Sequence, residues 1–489
     1  MKKIAVVFVF LFCILFSGCG KSLDKVSQNL NTYTINAVFD EDTKTLACTQ
    51  TVDYTNTTEN LITTLPFHLY ANAFREESIY KPVSFASEQK AYPNGKSYGG
   101  ITIDCIKVNG KQTSVDIGGV DDNIVNVNNL KLYPDDRIKI YFEYQVLLPN
   151  CLHRFGYGDN TYNFGNFYPI ACVYDNGFMT KPYSYNGDPF FSDMANYNVT
   201  ITAPSDFVIA CSGESKKEKT TDDFTTYKIT SKAIRDFAFV MSKKFKVIDK
   251  KLDDTIIKYY YFEDQNYNDS LKTAVDSVKT FNETFGKYPY KILNVVENDF
   301  LHGGMEYPCL VYISNLVKDY TEYKNVIVHE VAHQWWYGLV GNNEYDDAWL
   351  DEGLAEVSCL MFYDKNPSYG ISISGKKSLL MSNYAMFLDV FKSVYGSVDE
   401  SMTRSLDKYI SETEYTYITY VKGNIMFADL QEMIGKRRFE KALKKYFKDN
   451  IYTNAKPENL IAAFNSVAGK RCEKFINSYL NGKVTFATK

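Results

Sequence analysis

From about Tyr33 to Ile248, hydrophobic and polar positions alternate in short runs, and this pattern predicts strand after strand. Tyr33-Thr34-Ile35-Asn36-Ala37-Val38, Ile138-Lys139-Ile140-Tyr141-Phe142 and Tyr197-Asn198-Val199-Thr200-Ile201 are rich in β-favouring residues. Gly, Asn, Asp and Pro punctuate them at short intervals. Residues 33–248 therefore read as an all-β domain. Near residue 250 the period lengthens. Leu271 to Phe285 carries apolar residues at helical spacing, the turn Gly286-Lys287-Tyr288-Pro289-Tyr290 follows, and an edge-like strand leads to Leu301. Asn325-Val326-Ile327-Val328 and Gln334-Trp335-Trp336 continue an apolar helical pattern on either side of residues 329–333. Helical segments then run from about Tyr395 to the end, through Phe439 to Phe447 and Phe475 to Leu480. Residues 249–489 read as a mainly helical domain, and the chain as multidomain α+β.

The first residues have a different logic. Met1-Lys2-Lys3 is basic, and the uncharged run from Ile4 to Phe16 is shorter than the roughly 20 residues that span a bilayer. That is the shape of an export signal. Phe16-Ser17-Gly18-Cys19 resembles a bacterial lipoprotein cleavage box, with Phe16 where Leu is commoner. The resemblance implies a signal segment over 1–19, lipidation of Cys19, and anchoring to the outer face of a bacterial cell membrane. Residues 20–32 are polar and read as a tether.

Composition fits an exported globular enzyme. A net charge of −5 provides no basic surface for nucleic acid, and 45% hydrophobic residues can fill large cores. Cys13 and Cys19 aside, the remaining cysteines are scattered, with no close pairs suited to a structural zinc. They read as mostly buried thiols, with room for one or two disulfides whose pairing the sequence does not give.

The chemistry concentrates at His329-Glu330-Val331-Ala332-His333. Histidines four apart on a helix share a face, so their imidazoles can hold one metal ion with Glu330 beside it. A catalytic zinc takes three protein ligands and keeps a position for water. The chain has five histidines and three tryptophans; two of the former and all of the latter lie in this region. His68 and His153 read as packing residues and His302 as a loop residue. Eighteen residues separate His333 from Glu352, and a turn at Gly341-Asn342-Asn343 between two helices would return Glu352 to the metal. By chemistry alone Asp346, Asp347 and Asp351 compete for the third position.

His329-Glu330-Val331-Ala332-His333-Gln334-Trp335-Trp336, the gap, and Trp349-Leu350-Asp351-Glu352-Gly353-Leu354-Ala355 resemble the aminopeptidase N and leukotriene hydrolase family of zinc metallopeptidases. The resemblance implies a saddle-like all-β domain followed by a thermolysin-like catalytic domain, one Zn2+ per chain, and His329, His333 and Glu352 as its ligands. Leu65 to Phe74 is similar to the family's first-domain signature. Gly303-Gly304-Met305-Glu306-Tyr307 resembles its G-A-M-E-N exopeptidase motif, with Gly304 for Ala and Tyr307 for Asn. This implies a substrate trough at Gly303, Gly304 and Met305, with Glu306 holding a free N-terminus. Tyr420-Val421-Lys422-Gly423 resembles the Y-x-K-G segment, whose tyrosine donates to the developing oxyanion. In relatives a Gln or Glu from the β domain also binds the substrate amine. The matching segment, Asp159 to Pro169, contains neither. Glu356, one turn beyond Glu352, reads either as a solvated or salt-bridged carboxylate or as an acceptor for the other N–H of a zinc-bound histidine, and the sequence leaves the two open. Longer relatives continue into a helical domain that roofs the active site; the resemblance here covers their first two domains.

The expected function is a zinc aminopeptidase acting on peptides with a free N-terminus. Glu330 is the general base, and Tyr420 is the oxyanion donor. The alternatives are a zinc endopeptidase of broader access and a catalytically silent surface binding protein on the same scaffold. Intact Glu330 and Tyr420 weigh against the silent form.

Overall fold

The computed structural model describes residues 22–483. The export segment, Cys19 and the first residues of the expected tether lie outside them. Within the rest of that tether, Leu23–Ser27 forms a short helix, α1, capped by the Ser22 side chain. Asp24 of α1 pairs with Lys232, and Asn31 already begins the first strand.

Eight strands build the largest sheet: β1 (Asn31–Asp40), β2 (Thr45–Thr55), β3 (Gly100–Val108), β4 (Lys111–Thr113), β5 (Arg137–Leu147), β6 (Ala195–Pro204), β7 (Glu214–Thr220) and β8 (Phe224–Ile234). Their spatial order is β7-β8-β6-β1-β2-β5-β3-β4, with β1 and β6 parallel and the other pairs antiparallel. In β1, β5 and β6 the side chains alternate between buried and open positions, as the sequence pattern requires of a sheet with one face on the core. Two four-stranded sheets pack with it. One contains Leu65–His68, and the other contains Tyr162–Gly165. His68 is buried, stacked on Tyr70, as expected of a packing residue.

The second half opens with strands, not helices. β9 (Lys246–Leu252), β10 (Thr255–Tyr261), β11 (Ile292–Asn298), β12 (Gly304–Met305) and β13 (Leu310–Ser314) form one sheet in the order β9-β10-β11-β13-β12. The boundary expected at 248/249 falls inside β9, whose sheet belongs to the second half. β11 is central, not an edge, and every residue of it is buried. Its polar side chains disguise it. Asn294 donates to the Cys211 carbonyl at 2.7 Å, and Glu297 accepts from the amides of Phe262, Glu263 and Asp264. The edges are β9 and β12, the latter the short strand that carries Gly304 and Met305.

Helices α2 (Tyr267–Thr284), α3 (Tyr320–Ala332), α4 (Glu344–Asp347), α5 (Trp349–Lys365), α6 (Ile373–Tyr395), α7 (Glu412–Thr416) and α8 (Lys422–Ile434) follow, and three more close the chain. The helix expected over Leu271 to Phe285 is α2, and the one expected around residues 329–333 is α3. Gly341 lies in a two-residue strand paired with Thr453–Asn454; the turn proper starts at Asn343, whose side chain caps α4. Gly341 is needed for close approach, since a Cβ there would overlap the Arg235 guanidinium. The cysteines of the described residues are all free, and all but Cys105 are buried.

The two halves are bolted together by Arg235 at the end of β8. Its guanidinium donates to the carbonyls of Tyr337 (2.8 Å), Ser192 (2.8 Å) and Thr453 (3.0 Å) and to the Asn454 side chain. Across the same seam the Tyr337 hydroxyl donates to Asp236 at 2.6 Å.

Candidate active site

α3 is capped by the Asp319 side chain, and its buried stripe includes Val328, Val331 and Ala332. The 3.6-residue turn brings His329 and His333 to one face, as the spacing required. α5 runs beside α3 and delivers Glu352 to the same point. His333 Nε2 lies 3.1 Å from His329 Nε2, and the two nitrogens lie 3.1 and 3.2 Å from Glu352 Oε2. Four ligands arranged tetrahedrally at zinc bond lengths stand about 3.3 Å apart, so this donor triangle has the size of one face of a zinc site. Burial opposes the charge on Glu352, but the two imidazoles outweigh it and hold the carboxyl at about 2. The residues present fit a zinc ion.

Of the competitors for the third position, Asp351 also places an oxygen within 4.8 Å of His333 and Glu306, but it is Glu352 that contacts both imidazoles. Asp351 accepts from Asn342 at 3.0 Å, and Asp346 accepts from Asn343 at 2.8 Å. The rear of the site is also built. His333 Nδ1 contacts the Trp336 carbonyl at 2.9 Å, and His329 Nδ1 lies 3.1 Å from Oε1 of Glu356. Asn424 donates to the other Glu356 oxygen at 3.0 Å. Glu356 therefore stands behind His329, one of the two roles that the sequence left open for it.

A cleft of about 390 Å³ opens over the triad, and Glu330 lines it together with Gly303 and Gly304. Burial raises the Glu330 carboxyl to about 7, against the pull of His329 and His333, which suits a base working near neutrality. The Tyr420 hydroxyl reaches the triad from a π-helical turn, Tyr417–Val421, and donates to Oε1 of Glu352. Its ring stacks on His329 at 5.9 Å.

Glu306 follows the edge strand β12 and is 3% exposed, with Oε1 lacking any partner. Burial and the nearby Asp188 charge push its carboxyl well above the usual range. Below it, the Tyr307 hydroxyl donates to Asn166 at 2.7 Å, and Gly165 leaves room for that ring. The segment 159–169 thus buttresses the Glu306 loop and contributes no carboxylate to it.

Sequence reasoning missed Asp188. It sits in the loop before β6, forms an ion pair with the buried Arg154, and lines the cleft from the β half. One ligand atom from each of Asp188, Glu306 and Glu352 falls within 4.8 Å of the others. The available signal was weak: a lone acid in Asn186-Gly187-Asp188-Pro189, and an arginine in an otherwise apolar stretch. His302, expected as a plain loop residue, also lines the cleft.

Residues 269–479 match the family model described as the Peptidase family M1 domain. Aminopeptidase N of Lactococcus lactis subsp. lactis (strain IL1403) is 31% identical over 229 residues, 43% of this chain and 26% of that protein. Aminopeptidase M1 of Arabidopsis thaliana is 25% identical over 309 residues, 59% of this chain and 34% of that protein. The matched stretches thus span about a quarter to a third of these curated relatives. Among solved structures, an M1 zinc metallopeptidase from Deinococcus radiodurans has a TM-score of 0.64 and 16% identity, over 94% of this chain and 96% of that one. A mutant M1 zinc metallopeptidase from that organism, bound to a Tyr-Ser-Ala substrate, superposes with the same TM-score at 15% identity and the same coverage. With a β-rich first half, a helical second half and a His/Glu triad between α3 and α5, the chain has the fold of the M1 zinc metallopeptidases, and its residues 269–479 match the model of the Peptidase family M1 domain.

Proposed function

We propose that the chain is a zinc-dependent aminopeptidase that removes the first residue of peptides, with one Zn2+ held by His329, His333 and Glu352. The observation that carries this reading is the unpartnered Oε1 of buried Glu306, close to both Asp188 and the triad. An α-amine and the carbonyl carbon of its own residue are about 2.5 Å apart. A carboxylate that grips the amine must therefore stand close to the centre that attacks the carbonyl. Glu306 does, and an ammonium ion would supply the charge partner that this carboxylate lacks. Substrate binding to the structural relative from Deinococcus radiodurans is consistent with a peptide in this cleft.

Bound zinc would polarise the first peptide carbonyl and acidify water. Glu330 takes the proton from the attacking water and returns it to the leaving amine. Tyr420, released from Glu352, donates to the oxyanion. Glu306 and Asp188 hold the ammonium, and the glycine at position 304 lets the substrate backbone lie along the edge strand.

At the other end of the chain, the basic start, the apolar run to Phe16 and the box ending at Cys19 support export and lipid anchoring on the outer face of the membrane. Incorporation of labelled palmitate that is lost in Cys19→Ala tests this part.

The catalytic reading is tested with leucine anilide, free and N-acetylated, on the zinc-loaded chain and on Glu330→Gln. Turnover of the free form alone, stopped by a chelator and absent from a metal-retaining Glu330→Gln, is the expected result. Equal turnover of both forms would make it an endopeptidase; no turnover of either would leave a binding protein.

A further inference from the structure

α3 ends at His333, and the chain turns back at once. The Gly338 amide donates to the His333 carbonyl at 2.8 Å, and the Val340 amide to the Trp335 carbonyl at 3.0 Å. Within this turn Tyr337 has a φ of 113°. Every other non-glycine residue with positive φ among the described residues lies between 47° and 65°, close to the left-handed well. A bulky residue at 113° is strained, and such a backbone persists only where its surroundings over-determine it. The neighbouring glycine does not take the turn instead. A Cβ on Gly338 would meet the Gln334 carbonyl oxygen at 2.9 Å, so that residue serves close contact with the end of α3.

What holds Tyr337 comes largely from the other half. Arg235 Nε donates to its carbonyl at 2.8 Å, Asp236 accepts from its hydroxyl at 2.6 Å, and the residue is buried. Within its own turn, its amide donates to the Val340 carbonyl at 2.8 Å. Across the preceding peptide bond, the Trp336 carbonyl stands 2.9 Å from Nδ1 of His333. That peptide is planar, so ψ of Trp336 and φ of Tyr337 turn it as one plate. Both flanks are tied. Relaxing Tyr337 to a negative φ would rotate the plate and carry the Trp336 oxygen away from His333.

We propose that Tyr337 is a positioning residue for the metal site: Arg235 and Asp236 hold its backbone in the disfavoured region, and that conformation keeps the Trp336 carbonyl on His333. The proposal rests on the zinc reading above. It adds that docking of the β half sets the orientation of a ligand carried by the catalytic half. The partner on the far nitrogen of a metal-bound imidazole fixes its tautomer and ring plane, and its loss costs roughly 10–100-fold in metal affinity.

Glycine adopts a positive φ almost without cost, so backbone strain and side chain can be separated. The full chain and its Tyr337→Gly, Tyr337→Ala and Tyr337→Phe variants are stripped of metal, and zinc affinity is measured by competition against chelators. The visible spectrum of each cobalt-loaded protein reports the ligand geometry. Tyr337→Ala keeps the strain without the hydroxyl and should bind zinc about 10–100-fold more weakly, with an altered cobalt spectrum. Tyr337→Phe loses only the contact with Asp236 and should bind about tenfold more weakly. Tyr337→Gly loses more of the side chain than either, yet should stay within about threefold of the native chain. Equal losses in the Gly and Ala variants would reduce Tyr337 to a packed ring and overturn the proposal. If Tyr337→Gly does not fold, Tyr337→Phe decides: native affinity and spectrum overturn the proposal, and a tenfold loss in a folded protein upholds it. Zinc bound equally well by all four proteins would remove this proposal and leave the zinc reading standing. A native chain that takes up no zinc would remove that reading, and the proposal with it.

Discussion

Gly304 lies so close to Glu330 that a Cβ on it would come within 2.5 Å of Cγ and Cδ of Glu330. The edge strand and the helix carrying the proposed base are thus in contact through a missing side chain. The clash falls on the far end of a flexible residue, so the fold can absorb a methyl group by turning Glu330 aside. Catalysis cannot, because a base displaced by about 1 Å loses roughly 10² in rate. Gly304→Ala is therefore expected to lower kcat on free leucine anilide by about that factor, with zinc content and thermal stability unchanged. A variant with native kcat would show that Glu330 is not the proton acceptor.

Glu356 makes a separable contribution. It touches no expected substrate atom but stands 3.1 Å from the far nitrogen of His329, itself steadied by Asn424. Carboxylates in this position orient a metal-bound imidazole and raise its basicity, and their loss costs roughly 10–100-fold in metal affinity. Competition against a graded series of chelators should show that loss in Glu356→Ala, with kcat restored at saturating zinc. Unchanged affinity would reduce Glu356 to a surface-type acid that happens to be nearby.

These two sites differ in how they could be found. Histidine spacing and the return of Glu352 were legible because helix periodicity is local: once α3 and α5 form, the triad follows from the 3.6-residue turn. Asp188 was not legible, because a lone acid in a loop acquires its role only when the β half packs on the catalytic half and Arg154 fixes it. β11 was misread for a related reason. Asn294, Glu297 and Asn298 give it the look of an edge, yet each finds its partner in a distant segment. Gly341 suggested a turn, whereas its function is to let Arg235 through. Local chemistry was readable; polar groups satisfied across the domain seam were not.

Arg235 tests that seam. It is 1% exposed and donates to three backbone carbonyls drawn from both halves. Arg235→Met keeps much of the volume but leaves those acceptors, and the neighbouring Asp236, without their donor or counter-charge. Removing one partner from a buried charged network destabilises by about 3–5 kcal/mol. The midpoint of urea unfolding should fall accordingly, with the intact-domain spectrum preserved in buffer. A shift of less than about 1 kcal/mol would mean that the halves are held by apolar packing alone.

Asp236 gives the same seam a pH dependence whose sign can be worked out. Burial pushes its carboxyl up to about 6, although Tyr337 and Arg235 pull the other way, and its Oδ1 has no partner. Unfolded, the group titrates at its ordinary value of 3.8. Between those values the folded chain binds the proton more tightly than the unfolded one does. The stabilisation that this proton provides is complete below pH 3.8 and is lost as pH rises through about 6. The whole difference corresponds to roughly 3 kcal/mol. Asp236→Asn carries no such proton, and its side-chain oxygen can still accept from Tyr337. Relative to the native chain, the variant should therefore gain stability as pH is raised from 4 to 6 and keep that gain unchanged above 7. Other acids titrate in this range in both proteins, so the quantity to follow is the difference between their urea midpoints. A difference that stays flat, or runs in the opposite direction, would show that Asp236 remains ionised in the folded seam, with Arg235 as its effective counter-ion.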